Sequence, residues 1–153
     1  MEAQREAAER IGAALVSSGM ARLPSRLFAA LLVDDDGRMT SVELASFLGI
    51  SSGGVSAAVR YLEQIGLVRR EREPGGRRDV YVVDDDAWHD AMMAPDQLYA
   101  PIKSAMASAV QLLGDAPAAT RVELSLEFLD FLTVELASLA ERWEEHKRRT
   151  HPS

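Results

Sequence analysis

Apolar residues recur three and four positions apart through most of this chain, and strand-like residues gather between polar turn signals only around residues 67 to 83. From Glu2 to about Ser18, Ala7, Ile11, Ala14 and Leu15 keep helical spacing, and Gly19 is a good helix stop. A second helix is predicted from near Pro24, a residue suited to a first turn; Leu27, Phe28, Leu31 and Leu32 face inward, and the polar turn DDDGR follows. In MTSVELASFLGIS, Thr40 and Glu43 have capping-box spacing, Leu44, Ala45 and Leu48 share one side, and Gly49 ends the helix. The next helix starts two residues later, at SSGGVSAAVRYLEQIG, so two short helices meet through a glycine-containing turn, a helix-turn-helix. LVRRERE and RRDVYVV, with PGG between them, read as a β-hairpin over about residues 67–83. Together these elements describe a winged helix.

The rest of the pattern is helical. Asp86 can cap a helix starting at Ala87, and Pro95 and Pro101 are expected to break or kink the chain before IKSAMASAVQLLG, where Ile102, Met106, Ala109 and Leu113 line one face. After a turn over 114–117, a helix from about Ala118 to Arg149 carries Val122, Leu126, Leu129, Leu132, Leu136, Leu139 and Trp143 three or four apart, with Phe128, Phe131 and Val134 on neighbouring faces. A helix so long and so widely apolar calls for a partner helix. The expected fold is mainly α (α+β): a winged helix-turn-helix with a two-stranded β-wing and N- and C-terminal dimerisation helices. The expected organisation is a single domain over 1–153, with a winged-helix core at 22–84 and a helical dimerisation region formed by 1–18 and 87–149. The dimer contacts are assigned to Ile11, Leu15, Leu129, Leu132, Leu136, Leu139 and Trp143.

The helix over residues 51–65 has two distinct faces. At about 100° per residue, Ala58, Val59, Leu62 and Ile65 fall within about 80° of Val55, a complete packing stripe. Gly53, Ser56, Ala57, Arg60 and Gln64 lie opposite, with Ser52 at the edge and Ser51 ahead of the first turn. Small residues near the N-terminus and one long cation two turns along suit entry into a DNA major groove. Gly54 sits on the flank, where close packing and DNA approach are both open readings. A side chain at position 53 is therefore expected to harm binding more than stability, and one at 54 the reverse.

Charge changes the picture locally. The net charge of -7 would argue against nucleic acid if it were evenly spread, yet Arg60, Arg69, Arg70, Arg72, Arg77 and Arg78 crowd one stretch while the acidic excess lies elsewhere. Arg72, Arg77 and Arg78, on the hairpin and its tip, are candidates for the adjacent minor groove or backbone. The alternative is a winged helix that binds protein and not DNA; such modules usually lose the basic wing.

The run MTSVELASFLGISSGGVSAAVRYLEQIGLVRREREPGGRRDVYVV resembles the winged-helix core of MarR-type bacterial transcriptional regulators. Its SSGGVSAAVRYLEQIGLVRR and PGGRRDVY segments are more similar to the GbsR-like branch. The resemblance is specific over about residues 38–84. It implies a homodimer with recognition helix 51–65 and wing 67–83, binding a pseudo-palindromic double-stranded operator, often as a repressor tuned by a small-molecule effector.

Other chemistry is sparse. Cysteine is absent, so disulfides, thiolate metal sites and redox sensing are excluded, and a reducing cytoplasm fits. The charged N-terminal stretch is no secretory signal, and no apolar run approaches the ~18 residues of a membrane span. His89, His146 and His151 lack metal-ligand spacing, and DDD at 34–36 and at 84–86 lack a calcium loop, so neither metal nor cofactor is expected. No phosphate loop, nucleophile triad or carboxylate pair marks an enzyme. Trp88, Met92, Tyr99 and Met106, around the prolines, read either as plain core or as a pocket for an apolar or cationic effector.

Overall fold

In the computed structural model, which describes residues 2–93 and 95–151 (the side chains at 90 and 95–98 excepted), the chain forms two units, one up to Ala91 and one from Met92. The first is built around helix α2 (Arg22–Leu32), where Leu27, Phe28, Ala29, Ala30 and Leu31 have no solvent exposure. A helix apolar on every side must be covered on every side. Helix α1 (Glu2–Ser17) packs along it through Ala8 and Gly12, helices α3 (Ser41–Leu48) and α4 (Ser52–Gln64) supply Leu44, Val55, Val59 and Leu62, and Trp88 meets Phe28 edge to face at 5.3 Å. Ser25, also fully buried, donates its hydroxyl to the Ala21 carbonyl at 2.7 Å, which offsets the cost of burying it.

Helix α2 begins at Arg22, two residues before the predicted start. Pro24 is tolerated there because the first four backbone N–H groups of a helix have no intrahelical partner. The capping box forms as the spacing predicts: the Glu43 N–H donates to Thr40 Oγ1 at 3.3 Å, and the Thr40 N–H donates back to Glu43 Oε2 at 2.7 Å. Gly49, at φ +66°, ends α3 in the left-handed region, and α3 and α4 meet at 107°, within the usual helix-turn-helix range.

The wing has the two strands expected, and the sheet gains a third from outside it. Strands β2 (Arg69–Arg72) and β3 (Asp79–Val82) form the wing, and β1 (Arg38–Thr40) adds to the other side of β3, giving the antiparallel order β1-β3-β2. Arg38 and Arg69 both lie opposite Val82, and Met39 and Arg70 both lie opposite Tyr81. Three residues reading Arg-Met-Thr are too short to display alternation, so β1 leaves no sequence signal.

The second unit is helical. After α5 (Ala87–Met93), helix α6 (Pro95–Leu113) begins at Pro95, one of the two prolines expected to break or kink the chain, and continues through Pro101 without a break. Pro101 removes one ladder bond from a 19-residue helix, and α6 packs along α7 (Pro117–Thr150), with Lys103 Nζ 2.5 Å from Asp130 Oδ1. Pro117 opens α7 one residue before the predicted start, and Lys147, Arg148 and Arg149 in its last turn complement the helix dipole.

Candidate functional site

Ser51 caps α4: its hydroxyl oxygen accepts from the Gly54 N–H at 3.2 Å, which fixes where the helix begins. From there Val55, Ala58, Val59 and Leu62 point into the core, while Ser52, Gly53, Ser56, Ala57, Arg60 and Gln64 are all exposed. The Ser56 hydroxyl donates to the Ser52 carbonyl at 3.2 Å, so its oxygen still offers acceptor capacity outward. Tyr61, 39% exposed on the flank of this face, was not among the residues the sequence pointed to.

The wing presents the second cluster. Its tip is closed by the Glu73 N–H on the Arg78 carbonyl and the Gly76 N–H on the Glu73 carbonyl, both at 3.0 Å, with Gly75 at φ +74°. Arg72, Arg77 and Arg78 stand exposed around this tip. Among the described residues, neither they nor Arg60 form an ion pair within 4.0 Å.

The other arginines of the sheet are engaged. Arg69 donates twice to Asp84, at 2.8 Å each, and also contacts Glu71, which in turn holds Arg38 at 2.6 Å. Arg70 lies 3.4 Å from Glu63 of α4 and 3.7 Å from Asp79 of β3, with its guanidinium over the Tyr81 ring. The hydrogen bond from Arg69 holds the Asp84 carboxyl below its ordinary range and raises the guanidinium in return. The Thr40 backbone and hydroxyl bonds lower Glu43 in the same way, and burial pushes the Tyr81 phenol up. The acids that neutralise Arg38, Arg69 and Arg70 come from up to 33 residues away, so sequence proximity does not reveal which arginines remain available.

The residues assigned to an effector pocket belong to both units. Trp88 belongs to the first unit, against Phe28, and Met92 is 64% exposed. Tyr99 and Met106 line an open apolar groove of about 550 Å³ between α6 and α7, together with Ile102, Leu124, Phe128 and Leu129. Of the residues assigned to a dimer contact, Ile11 is half-buried and Leu15 packs against the first unit's own core. Leu129, Leu132 and Leu136 are half-buried, and Leu139 and Trp143 are 40% and 37% exposed. The most exposed apolar stripe on α7 runs through Leu124, Phe128, Phe131 and Val134.

Residues 18–79 match the family model described as MarR family, and residues 86–146 match that of MmpR5-like MarR family transcriptional regulators. The HTH-type transcriptional regulator MmpR5 of Mycobacterium tuberculosis (strain ATCC 25618 / H37Rv) is 34% identical over 112 residues, spanning 73% of this chain and 68% of that protein. The uncharacterized HTH-type transcriptional regulator YcgE of Bacillus subtilis (strain 168) is 42% identical over 60 residues, 39% of each chain. A crystal structure described only as that of a transcriptional regulator superposes with a TM-score of 0.85 at 28% identity, covering 93% of this chain and 98% of that one.

Proposed function

The chain belongs to the MarR family, and from that premise we propose that it acts as a homodimeric repressor that reads a pseudo-palindromic operator. It is a DNA-binding transcriptional regulator and not an enzyme, as are its relatives. In this reading the small-residue face of α4 enters the major groove: Gly53 and Ala57 let the backbone approach, Ser52 and Ser56 bond to bases or phosphates beside the capping Ser51, and Arg60 and Gln64 reach further along. Arg72, Arg77 and Arg78 then meet the neighbouring backbone or minor groove.

The observation that carries this reading is the division of the arginines. On an acidic chain, most cations of the sheet are neutralised by nearby carboxylates, whereas Arg60 and the three at the wing tip are exposed and form no ion pair within 4.0 Å among the described residues, Arg78 acting on Glu43 only at longer range. Winged helices that bind only protein usually lose a basic wing, and this chain keeps one. The exposed Leu124, Phe128, Phe131 and Val134 of α7 support self-association, since a stripe of this kind marks a contact surface. The apolar groove at Tyr99 and Met106 supports a small apolar or cationic effector. Among the described residues no single helix is long and apolar enough to cross a membrane, and we place the protein in the cytoplasm with the DNA it regulates. The GbsR-like placement rests on SSGGVSAAVRYLEQIGLVRR and PGGRRDVY alone, and the match over 86–146 is to MmpR5-like members.

A gel shift with the DNA upstream of the protein's own gene tests the proposal. Retardation at low salt that weakens steeply as salt rises is the expected result, because several arginines would release condensed counterions. No retardation at low salt refutes it.

A further inference from the structure

The two elements assigned to DNA, α4 and the wing, are joined through the core only at the wing's base. Leu67, Val68, Tyr81 and Val83 belong to the buried cluster, and Tyr81 is the member nearest the tip. Beyond the row formed by Arg70 and Tyr81, the hairpin carries Glu71, Arg72, Glu73, Arg77, Arg78 and Asp79 and no residue of that cluster; Val80, opposite Thr40 of β1, is buried outside it. Arg70 occupies this boundary. Its guanidinium lies 3.4 Å from Glu63 in the last turn of α4, 3.7 Å from Asp79 in β3, and 5.8 Å from the centre of the Tyr81 ring. Among the described residues, the contact between Arg70 and Glu63 is the one ion pair joining α4 to the hairpin.

We propose that Arg70 is a positioning residue that fixes the wing against the recognition helix, so that Arg60 and the tip arginines meet one duplex in register; this rests on the DNA-binding reading above. The guanidinium is suited to the task because its planar fork engages carboxylates on two different elements while its face lies on an aromatic ring. Because the Arg70 side chain is 47% exposed and Glu63 30%, the link is weak as a source of stability. Its effect is on orientation: a wing free to swing must be ordered when DNA binds, and that ordering lowers affinity for the one sequence requiring both elements at once.

Glu63→Gln separates positioning from charge because the two predict opposite signs. Removing an acid beside DNA, and releasing Arg70, raises affinity for every duplex if charge alone matters. Positioning predicts that operator affinity falls roughly two- to five-fold, the scale of one exposed ion pair, while affinity for an unrelated duplex does not fall. Arg70→Met keeps the stem over Tyr81 and should give the same selective loss with an unchanged salt slope on the unrelated duplex; Arg70→Lys should restore most of the preference. Hydrogen exchange of the free proteins supplies a readout independent of DNA: both Glu63→Gln and Arg70→Met should speed exchange at the Glu73 and Gly76 amides and leave α2 unchanged. The proposal is overturned if Glu63→Gln strengthens both duplexes alike, or if Arg70→Met weakens both alike with the slope reduced by about one, the mark of a plain phosphate contact. If the wild-type chain shows no preference for its upstream DNA, the DNA-binding reading fails, and the exchange measurement alone decides: wing amides unchanged in Arg70→Met overturn the positioning role.

Discussion

Gly53 and Gly54 stand side by side in the first turn of α4, yet alanine at the two positions should do different things. Both have negative φ, so neither needs glycine for its backbone conformation. A Cβ on Gly53 would meet only Ser51 Oγ, at 3.9 Å, and would otherwise stand in the open on the face assigned to DNA. A Cβ on Gly54 would lie 3.4 Å from Leu23 Cδ2, 3.6 Å from Ser51 Oγ and 3.9 Å from Ile50 Cδ1, which is ordinary contact. Replacing glycine by alanine where the backbone allows it stabilises by about 0.4–1 kcal/mol through the unfolded chain, and the first turn belongs at the low end. About 0.5 kcal/mol raises Tm by about 1–2 °C in a chain of this size. Both single variants should therefore melt slightly higher than wild type. This corrects the sequence-based expectation for position 54, where a methyl fits and only a larger side chain, as in Gly54→Leu, collides with Leu23 and Ile50. Binding then separates them. A methyl forced into a close-packed contact costs about 1–3 kcal/mol, or roughly 5- to 150-fold in operator affinity for Gly53→Ala, against little change for Gly54→Ala. Thermal unfolding and fluorescence anisotropy on a labelled operator measure the two quantities. Should Gly53→Ala, and even Gly53→Leu, bind as tightly as wild type, α4 does not approach DNA through this face and the reasoning is wrong.

Arg60→Ala should weaken operator binding without moving Tm, since Arg60 is exposed and forms no ion pair among the described residues; unchanged affinity removes it from the site. Arg77→Ala combined with Arg78→Ala should weaken all duplexes and flatten the salt slope by about 0.9 for each lost phosphate contact, and an unchanged slope places the wing tip off the backbone. Phe128→Asp with Phe131→Asp should yield a monomer by sedimentation; a persisting dimer moves the interface elsewhere on the chain. Asp84 and Glu43 both titrate below their unfolded values in the native state, Asp84 through Arg69 and Glu43 through Thr40. The stability they add is thus complete above the unfolded-state values of about 4 and fades as pH falls through the lower native ones. Urea midpoints of Asp84→Asn should fall less steeply below pH 4 than those of wild type, and equal steepness would show that this carboxylate is not linked to folding.

Local chemistry was readable from the sequence wherever one short stretch decides the outcome. Thr40 and Glu43 announce a capping box three residues apart, and the alternation of Val55, Val59 and Leu62 with Gly53, Ser56 and Arg60 gives both faces of α4. Where a competing interaction decides, the sequence was silent or misleading. Pro101 is compatible with either a break or a kink, and the break does not occur, because a long helix lying along α7 outweighs one missing hydrogen bond. Strand β1 exists because Arg38, Met39 and Thr40 find β3 forty or more residues later, and nothing local records that pairing.

The arginines show why a charge count cannot locate a binding surface. The stretch from Arg60 to Arg78 holds six of them, and their density alone would make the whole stretch a candidate. Folding divides them by geometry. Arg69 and Arg70 point into rows of the sheet where Asp84, Glu71, Asp79 and Glu63 already stand, so their charge is spent within the protein and salt has little further to release there. Arg72, Arg77 and Arg78 lie past the row of Arg70 and Tyr81, where no carboxylate comes within 4.0 Å of them among the described residues and only Arg78 acts on one, Glu43, at longer range, and Arg60 stands on the face of α4 turned away from the core. Each available cation that displaces counterions adds about 0.9 to the salt slope. Four available arginines per chain therefore set a ceiling of about 3.6 for one half-site from this stretch, against about 5.4 if all six took part. A measured slope per half-site well above the lower figure would mean that the paired arginines are released on DNA, and that the ion pairs of the wing are rearranged by binding.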